Sequence, residues 1–350
     1  MKNKLQPTGI ESAYNSIKSI LESARAKAYR AINFAMVEAY WNIGRIIVEE
    51  EQKGEKRAEY GKSLVAELSK RLSSEFGDSF NERSIWYIRS FYITFPNMNA
   101  LRSELSWTHY RLLLRVEKEE ARSFYMIESV SNNWSTRELE RQINSLLYER
   151  LALSKNKKDV KKLSLAGQAI QKPADIVKDP YVLEFLGLDE SKKYLEKDIE
   201  QALIDKLQRF LLELGKGFSF VSRQKRITVD GDHYYIDLVF YNYLLKCFVL
   251  IDLKVGKLAH QDIGQMDFYV RYFEKEEKAE NPPIGIILCS DKNEAMVKYT
   301  LLENSQKVFA SKYKLYLPTE KQLKDELAKE RAQIEMERKL ADRKKWQKKD

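Results

Sequence analysis

The 350-residue chain predicts an all-helical N-terminal domain followed by an α/β domain. Three observations carry that prediction. Residues 10–150 hold almost no proline and repeat their apolar side chains at helical spacing. Residues 154–180 change character, being lysine-rich and then broken by Pro173 and Pro180. Beyond them, short runs rich in β-branched and aromatic residues alternate with amphipathic helical stretches. The expected division is therefore a helical domain over 10–153, a linker over 154–180, an α/β domain over 181–318 and a charged, solvated helical tail over 319–350.

In the helical half, Ile17, Ile20, Leu21, Ala24, Ala28, Ala31, Ile32 and Ala35 form a drifting apolar stripe, which predicts one long helix or two. "KSLVAELSKRLSSEFG" is a further amphipathic helix with Gly77 at its C-terminal stop. Asn81 or Ser79 caps the next helix, which Pro96 ends. These two helices and their short turn have the spacing of a helix-turn-helix, whose second helix would offer Asn81, Arg83 and Arg89 to a nucleic-acid groove. An ordinary helical hairpin packing Ile85, Trp86 and Phe91 explains the same text. "SWTHYRLLLRV", "KEEARSFYMIESVSNNW" and "STRELERQINSLLYERLAL" complete the domain, the last with a Ser135/Glu138 capping box. Trp41, Trp107 and His109 read as packing residues.

In the C-terminal half the order is a helix through "LEKDIEQALIDKLQRFLLELG", the strand "FSFVSRQKRITV" and a hairpin over 234–258. A helix "HQDIGQMDFYVRYFEKEE", the strand "PIGIILCS", a helix over about 292–305 and a short strand "KLYLP" follow.

Bulk properties narrow the function classes. A formal charge of +9 favours a polyanionic partner. No apolar run reaches the ~18 residues of a membrane span, and the first residues lack a signal-peptide core, so a soluble, cytoplasmic protein with no membrane partner is expected. Cys247 and Cys289 lie in strand-like runs without metal-ligand spacing and read as buried free thiols.

The hairpin "YYIDLVFYNYLLKCFVLIDLKVGKL" places ionised residues inside apolar strands. Burying such charges costs several kcal/mol unless they are paired. Asp252 and Lys254 stand at i and i+2, so they share one face. A turn near Asn242–Leu245 sets Asp237 beside them. Two close carboxylates repel, and a divalent cation relieves that repulsion. A buried Asp–Lys ion pair is the competing explanation. Glu200 on the preceding helix can add an oxygen. Gln265 and Tyr269, at i and i+4 on the following helix, can reach the same place.

The ordered set of Glu200, Asp237, Asp252-x-Lys254 and Gln265-x-x-x-Tyr269 resembles the PD-(D/E)xK nuclease superfamily. With its flanking text, and with "YWNIGRIIVEEEQKG" and "LSWTHYRLLLRVEKEEARSFYMIESVSNNWSTRELERQINSLLYERL", residues 12–318 resemble the bacterial YhcG-type nucleases. The family usually carries Glu-Leu-Lys where this chain has Asp252-Leu253-Lys254, and Ile236 stands where the superfamily's proline would.

The resemblance implies a restriction-endonuclease-like α/β fold with a central mixed sheet, and hydrolysis of phosphodiester bonds, in DNA first of all, assisted by Mg²⁺ or Mn²⁺. It implies metal ligation by Asp237, Asp252 and the Leu253 carbonyl, with Glu200 an optional ligand. Lys254 would act on the attacking water and on phosphate charge, with Gln265 and Tyr269 in support. Arg223, Lys225, Arg226 and Lys257 are candidate phosphate contacts. Self-association through the N-terminal domain or the tail is a further expectation. A nuclease-like protein that has lost catalysis and only binds nucleic acid or proteins is the alternative.

Overall fold

The structure is a computed structural model that describes residues 7–53, 57–153, 157–178, 181–188, 193–291 and 307–315, with part of 321–328. The expected helix over 292–305 lies outside the described residues, as does most of the tail. By internal contacts the chain divides into two units, Met1–Ile143 and Asn144–Asp350.

The first unit is helical: α1 (Pro7–Lys53), α2 (Arg57–Phe76), α3 (Glu82–Thr94), α4 (Trp107–Leu113), α5 (Glu119–Ser131) and α6 (Thr136–Asn144). The capping chemistry works as the sequence implies. Asn81 Oδ1 accepts from Ser84 N at 2.9 Å. Ser135 N donates to Glu138 Oε2 at 2.6 Å while Glu138 N donates to Ser135 Oγ at 3.3 Å. Ile47, Val65, Ile85 and Ile88 form a core between α1, α2 and α3, with Tyr40 and Trp107 against it. A Cβ on Gly44 would stand 2.5 Å from the Ile88 carbonyl oxygen, so glycine is what lets α1 cross α3 so closely. Trp41, Trp107 and His109 pack as expected: Trp41 Nε1 donates to Phe95 O at 2.7 Å, and His109 Nε2 lies 3.0 Å from Trp134 O.

In the second unit come α7 (Leu147–Leu153), α8 (Lys157–Ala166), β1 (Tyr181–Val182), α9 (Glu196–Asp205), α10 (Leu207–Leu214), β2 (Phe218–Val229), β3 (Asp232–Asn242), β4 (Cys247–Lys257), α11 (His260–Glu276), β5 (Ile284–Asp291) and β6 (Val308–Lys314). The sheet runs β1-β6-β5-β4-β3-β2. Pairing is antiparallel from β2 to β4 and parallel from β4 through β5 and β6 to β1, so the sheet is mixed, as expected. One cluster joins Ile199, Leu203, Phe210 and Leu214 of α9 and α10 to Leu238, Ile251 and Leu288 of the sheet. A second joins Met266, Tyr269, Val270 and Phe273 of α11 to Val239, Leu250 and Ile287. Cys247 and Cys289 are buried thiols, and Cys289 Sγ donates to Ser311 O at 3.6 Å.

Four details differ from the sequence expectation. The helix expected through Ser135–Leu153 breaks at Leu146, which takes φ 48°. The helix expected through 195–214 breaks at Lys206, whose ammonium donates to Leu186 O at 2.9 Å. The last described strand starts earlier than expected and spans Val308–Lys314, with Val308, Ser311 and Tyr313 buried, while residues 316–318 of "KLYLP" lie outside the described residues. Finally, residues 154–180 include α8 and the buried Leu163, Gln168, Asp175 and Lys178, and the contact division falls earlier, at Ile143/Asn144. The physical reason is a fully buried ion pair: Arg150 Nη1 on α7 lies 2.7 Å from Glu213 Oε1 on α10.

Candidate active site

The β3–β4 hairpin turns through Tyr243–Lys246, where Asn242 Oδ1 accepts from Leu244 N and Leu245 N at 3.1 and 3.0 Å. That turn sets the register Asn242↔Cys247 through Leu238↔Ile251. Asp237 and Asp252 stand one step beyond the last of these pairs, side by side at the end of the ladder. Asp237 Oδ2 accepts from Leu253 N at 2.7 Å. Lys254 Nζ lies 2.9 Å from Asp252 Oδ2, which confirms that the two side chains share a face.

Glu200 joins them through a residue that sequence reading missed. Gln224 Nε2 donates both to Glu200 Oε2, at 2.7 Å, and to Asp237 Oδ1, at 3.0 Å. Gln224 sits opposite Asp237 where β2 takes φ 46°, a left-handed conformation that is uncommon outside glycine. Such strain clusters at functional sites. Its only sequence signal is membership of the polar run "SRQKR", which says nothing of a bridging amide. Glu196 is the second missed residue: its Oε1 accepts from Val255 N at 3.0 Å and its Oε2 lies 3.8 Å from Lys254 Nζ.

The remaining candidates separate. Gln265 donates to the Tyr269 hydroxyl, and that hydroxyl donates to Tyr235 O at 2.9 Å, two residues before Asp237. Gln265 is thus partnered by Tyr269 and not by Lys254, and the pair ties α11 to β3. Arg223 donates to Gln201 Oε1 at 2.8 Å, Lys225 lies 3.3 Å from Glu277, and Arg226 and Lys257 are exposed. In the helical unit Arg89 is committed to structure: its Nε lies 2.8 and 2.7 Å from the two oxygens of the buried Glu51, and its guanidinium lies 5.2 Å from the Trp86 ring centre. It does not present itself to a groove. Arg83 stays exposed and, with Trp86, Tyr87 and Ser90, borders a shallow cleft of about 480 Å³.

The electrostatics follow from burial. Asp252, 2% exposed, has its carboxyl pushed up to about 7, by burial first and by Asp237 second, against the pull of Lys254. Burial also raises Asp237, opposed by Leu253 N–H and Lys254, and raises Glu200, opposed by Gln224. Burial works against the Lys254 ammonium, but Asp252, Glu196 and Asp237 outweigh it and hold the group charged above the ordinary lysine value.

These shifts set a sign for stability. A carboxyl whose folded value is raised stabilises the fold below its ordinary value near 4 and loses that contribution as pH climbs through about 7. In EDTA, the melting temperature should therefore fall between about pH 4 and about pH 7, and Asp252→Asn should flatten the slope. A wild-type curve that rises steadily over that window contradicts the assignment.

The donor set suits a hard divalent cation: the buried Asp252 carboxylate, the half-buried Asp237 carboxylate beside it, and Glu200 close by, whose Oε1 atom is buried without a hydrogen-bond partner. Among the described residues no three His, Cys, Asp or Glu side chains already converge as a metal cage.

The chain is similar to known proteins over most of its length. Residues 174–328 match the model of the YhcG PDDEXK nuclease domain, and residues 16–150 match that of the DUF1016 N-terminal domain. The chain is 37% identical over 361 residues to "Putative nuclease YhcG" of Escherichia coli (strain K12), covering 93% of this chain and 96% of that protein. Among solved structures, a repair endonuclease from Pyrococcus abyssi is similar at 23% identity and TM-score 0.26, over 37% of this chain and 50% of that one. EndoMS in the EndoMS-dsDNA2 complex is similar at 20% identity and TM-score 0.27, over 38% of this chain and 50% of that one. Among the described residues no helix is long and apolar enough to cross a membrane.

Proposed function

Since the chain belongs to the YhcG family of PDDEXK nucleases, we propose that it is a divalent-metal-dependent nuclease whose substrate is DNA, foreign or branched DNA being the first candidates. The observation that carries the proposal is the arrangement of Asp237, Asp252 and Lys254 at one end of the β3–β4 ladder, with Glu200 joined to it through Gln224. An ion pair needed only for stability has no use for three neighbouring carboxyls that all lose stability on ionising.

Asp237, Asp252 and the Leu253 carbonyl would hold Mg²⁺ or Mn²⁺, with Glu200 in reserve. A bound divalent ion supplies Lewis acidity toward the scissile phosphate and lowers the pKa of water. The protein's own groups divide the remaining work. Gln224 and Leu253 N–H fix the Asp237 carboxylate. Lys254, held protonated by its three acidic neighbours, faces the phosphate as a cation and offsets the charge that builds in the transition state; a raised pKa suits that role better than general-base work. Glu196 holds the β4 backbone beside Lys254 through Val255 N–H. The Gln265–Tyr269 pair keeps β3 in place against α11. Arg223, Arg226 and Lys257 contact backbone phosphates, and Lys225 can exchange Glu277 for phosphate. Arg83 adds a contact from the helical unit.

The test is cleavage of supercoiled, linear and branched DNA with Mg²⁺, with Mn²⁺ and with EDTA. Metal-dependent cleavage of at least one substrate is expected; binding without cleavage in every condition would instead establish the inactive-binder reading. Lys254→Met sharpens the result. Because Asp252 already takes up a proton near pH 7, the variant should fold near neutrality, retain Mn²⁺ binding by calorimetry, and lose cleavage about a hundredfold or more. A variant that melts much earlier, yet cleaves in proportion to its folded fraction, leaves Lys254 a structural partner only.

A further inference from the structure

The apolar stripe along the N-terminal part of α1 is exposed among the described residues. From Val37 onward the helix is packed into its own unit, through Tyr40, Ile43 and Ile47. Before that, Ile10, Ile17 and Leu21 are 62%, 58% and 54% exposed, and Tyr14 is exposed with them. Ala24, Ala28, Ala31 and Ala35 are exposed too. The exposed part spans 26 residues from Ile10 to Ala35, roughly 39 Å of helix. An apolar stripe of that length left in water does not stabilise a helix, so the stripe calls for a covering surface.

The spacing says what covers it. Positions 10, 14, 17, 21, 24, 28, 31 and 35 advance by alternating steps of four and three, an unbroken heptad repeat of the coiled-coil kind. The first four positions are large (Ile, Tyr, Ile, Leu) and the last four are all alanine. Laid antiparallel on a second copy, the repeat matches itself: Ile10 falls opposite Ala35, Tyr14 opposite Ala31, Ile17 opposite Ala28 and Leu21 opposite Ala24. Every layer then holds one large and one small side chain, and the two axes keep one separation along the whole seam. Parallel pairing instead sets Ile, Tyr and Leu against themselves at one end and alanine against alanine at the other. That wedge leaves gaps in at least half of the layers. We propose that α1 residues 10–35 form an antiparallel, two-fold symmetric coiled coil with a second copy of this chain.

Charge is compatible with this arrangement without driving it. Lys18 lies opposite the partner helix's Arg25, and Glu22, 3.9 Å from Lys18 within the same helix, supplies the counter-charge. The isologous match follows from the order of residue sizes along this seam, which the exposed Ile20, Tyr29 and Ile32 flank.

Sedimentation or light scattering of the full chain at micromolar concentration should give a dimer. Ile17→Glu combined with Leu21→Glu should raise its dissociation constant at least a hundredfold while circular dichroism shows the helical unit still folded. Direction is read by disulfide capture, since Cys247 and Cys289 are buried. A mixture of the Ile17→Cys and Ala28→Cys variants should oxidise to a cross-linked dimer, with each variant alone giving little. A monomeric full chain overturns the proposal, whether the stripe is then bare or covered by another segment of the same chain. So does a dimer that survives the double glutamate change, and so do cross-links formed only between identical positions.

Discussion

Asp237→Ala and Asp252→Ala each abolish divalent-dependent cleavage, by a thousandfold or more, while DNA binding persists: this is the largest effect the site leads us to expect. The two carboxylates stand side by side at the end of the β3–β4 ladder, and neither has a nearby substitute in the same position. Asp237 is held by Leu253 N–H at 2.7 Å and Gln224 at 3.0 Å, so its loss also releases the Glu200 bridge. In EDTA above neutral pH either variant should melt no earlier than the wild type, because it removes one of two like charges held close in a buried place. Divalent ions should raise the wild-type melting temperature and leave that of the variants unchanged. Cleavage surviving in either variant at wild-type rate overturns the site.

The second large effect is structural. Arg150 and Glu213 form an ion pair with both side chains 0% exposed, and Arg150 also donates to Ser145 O at 2.8 Å and Ser145 Oγ at 3.0 Å. Arg150→Met keeps much of the volume but leaves the Glu213 carboxylate buried without its guanidinium, at a cost of about 3–5 kcal/mol. For a unit of this size that lowers the melting temperature by roughly 10 °C. The joint replacement Arg150→Met with Glu213→Leu should recover part of the loss, since no charge is left unpaired while Ser145 O and Oγ still lose the Arg150 donors. A single variant as stable as the wild type shows the pair to be dispensable.

Asp237, Asp252 and Lys254 were legible as a site because strands bury alternate residues, and charge in an apolar strand is conspicuous in one dimension. Glu200 and the Gln265–Tyr269 pair were legible only as side chains within reach, and the resemblance is what singled them out from other polar helix residues. Gln224 and Glu196 were invisible: each sits in a run of ordinary polar residues, and what distinguishes them is a positive φ in one case and a contact 59 positions away in the other. Arg89 shows the opposite error. Its position on a capped helix suggested a free cation, while the buried Glu51, 38 positions earlier, claims it.

By itself the sequence determined what is local: the amphipathic helices and their caps, the strand runs, the hairpin turn at Asn242, and the change from helical to α/β character. The heptad order of large and small residues along α1 belongs here as well, because it is a property of spacing alone. Only the tertiary structure decided the breaks at Leu146 and Lys206, the place where one unit ends and the next begins, and which polar side chains serve the carboxylates. Those outcomes depend on partners well separated in the chain, such as Glu213, 63 positions from Arg150, and Glu200, 24 positions from Gln224. A local pattern sets which face of an element is apolar, but a buried charge is satisfied by whichever group the fold brings within about 3 Å.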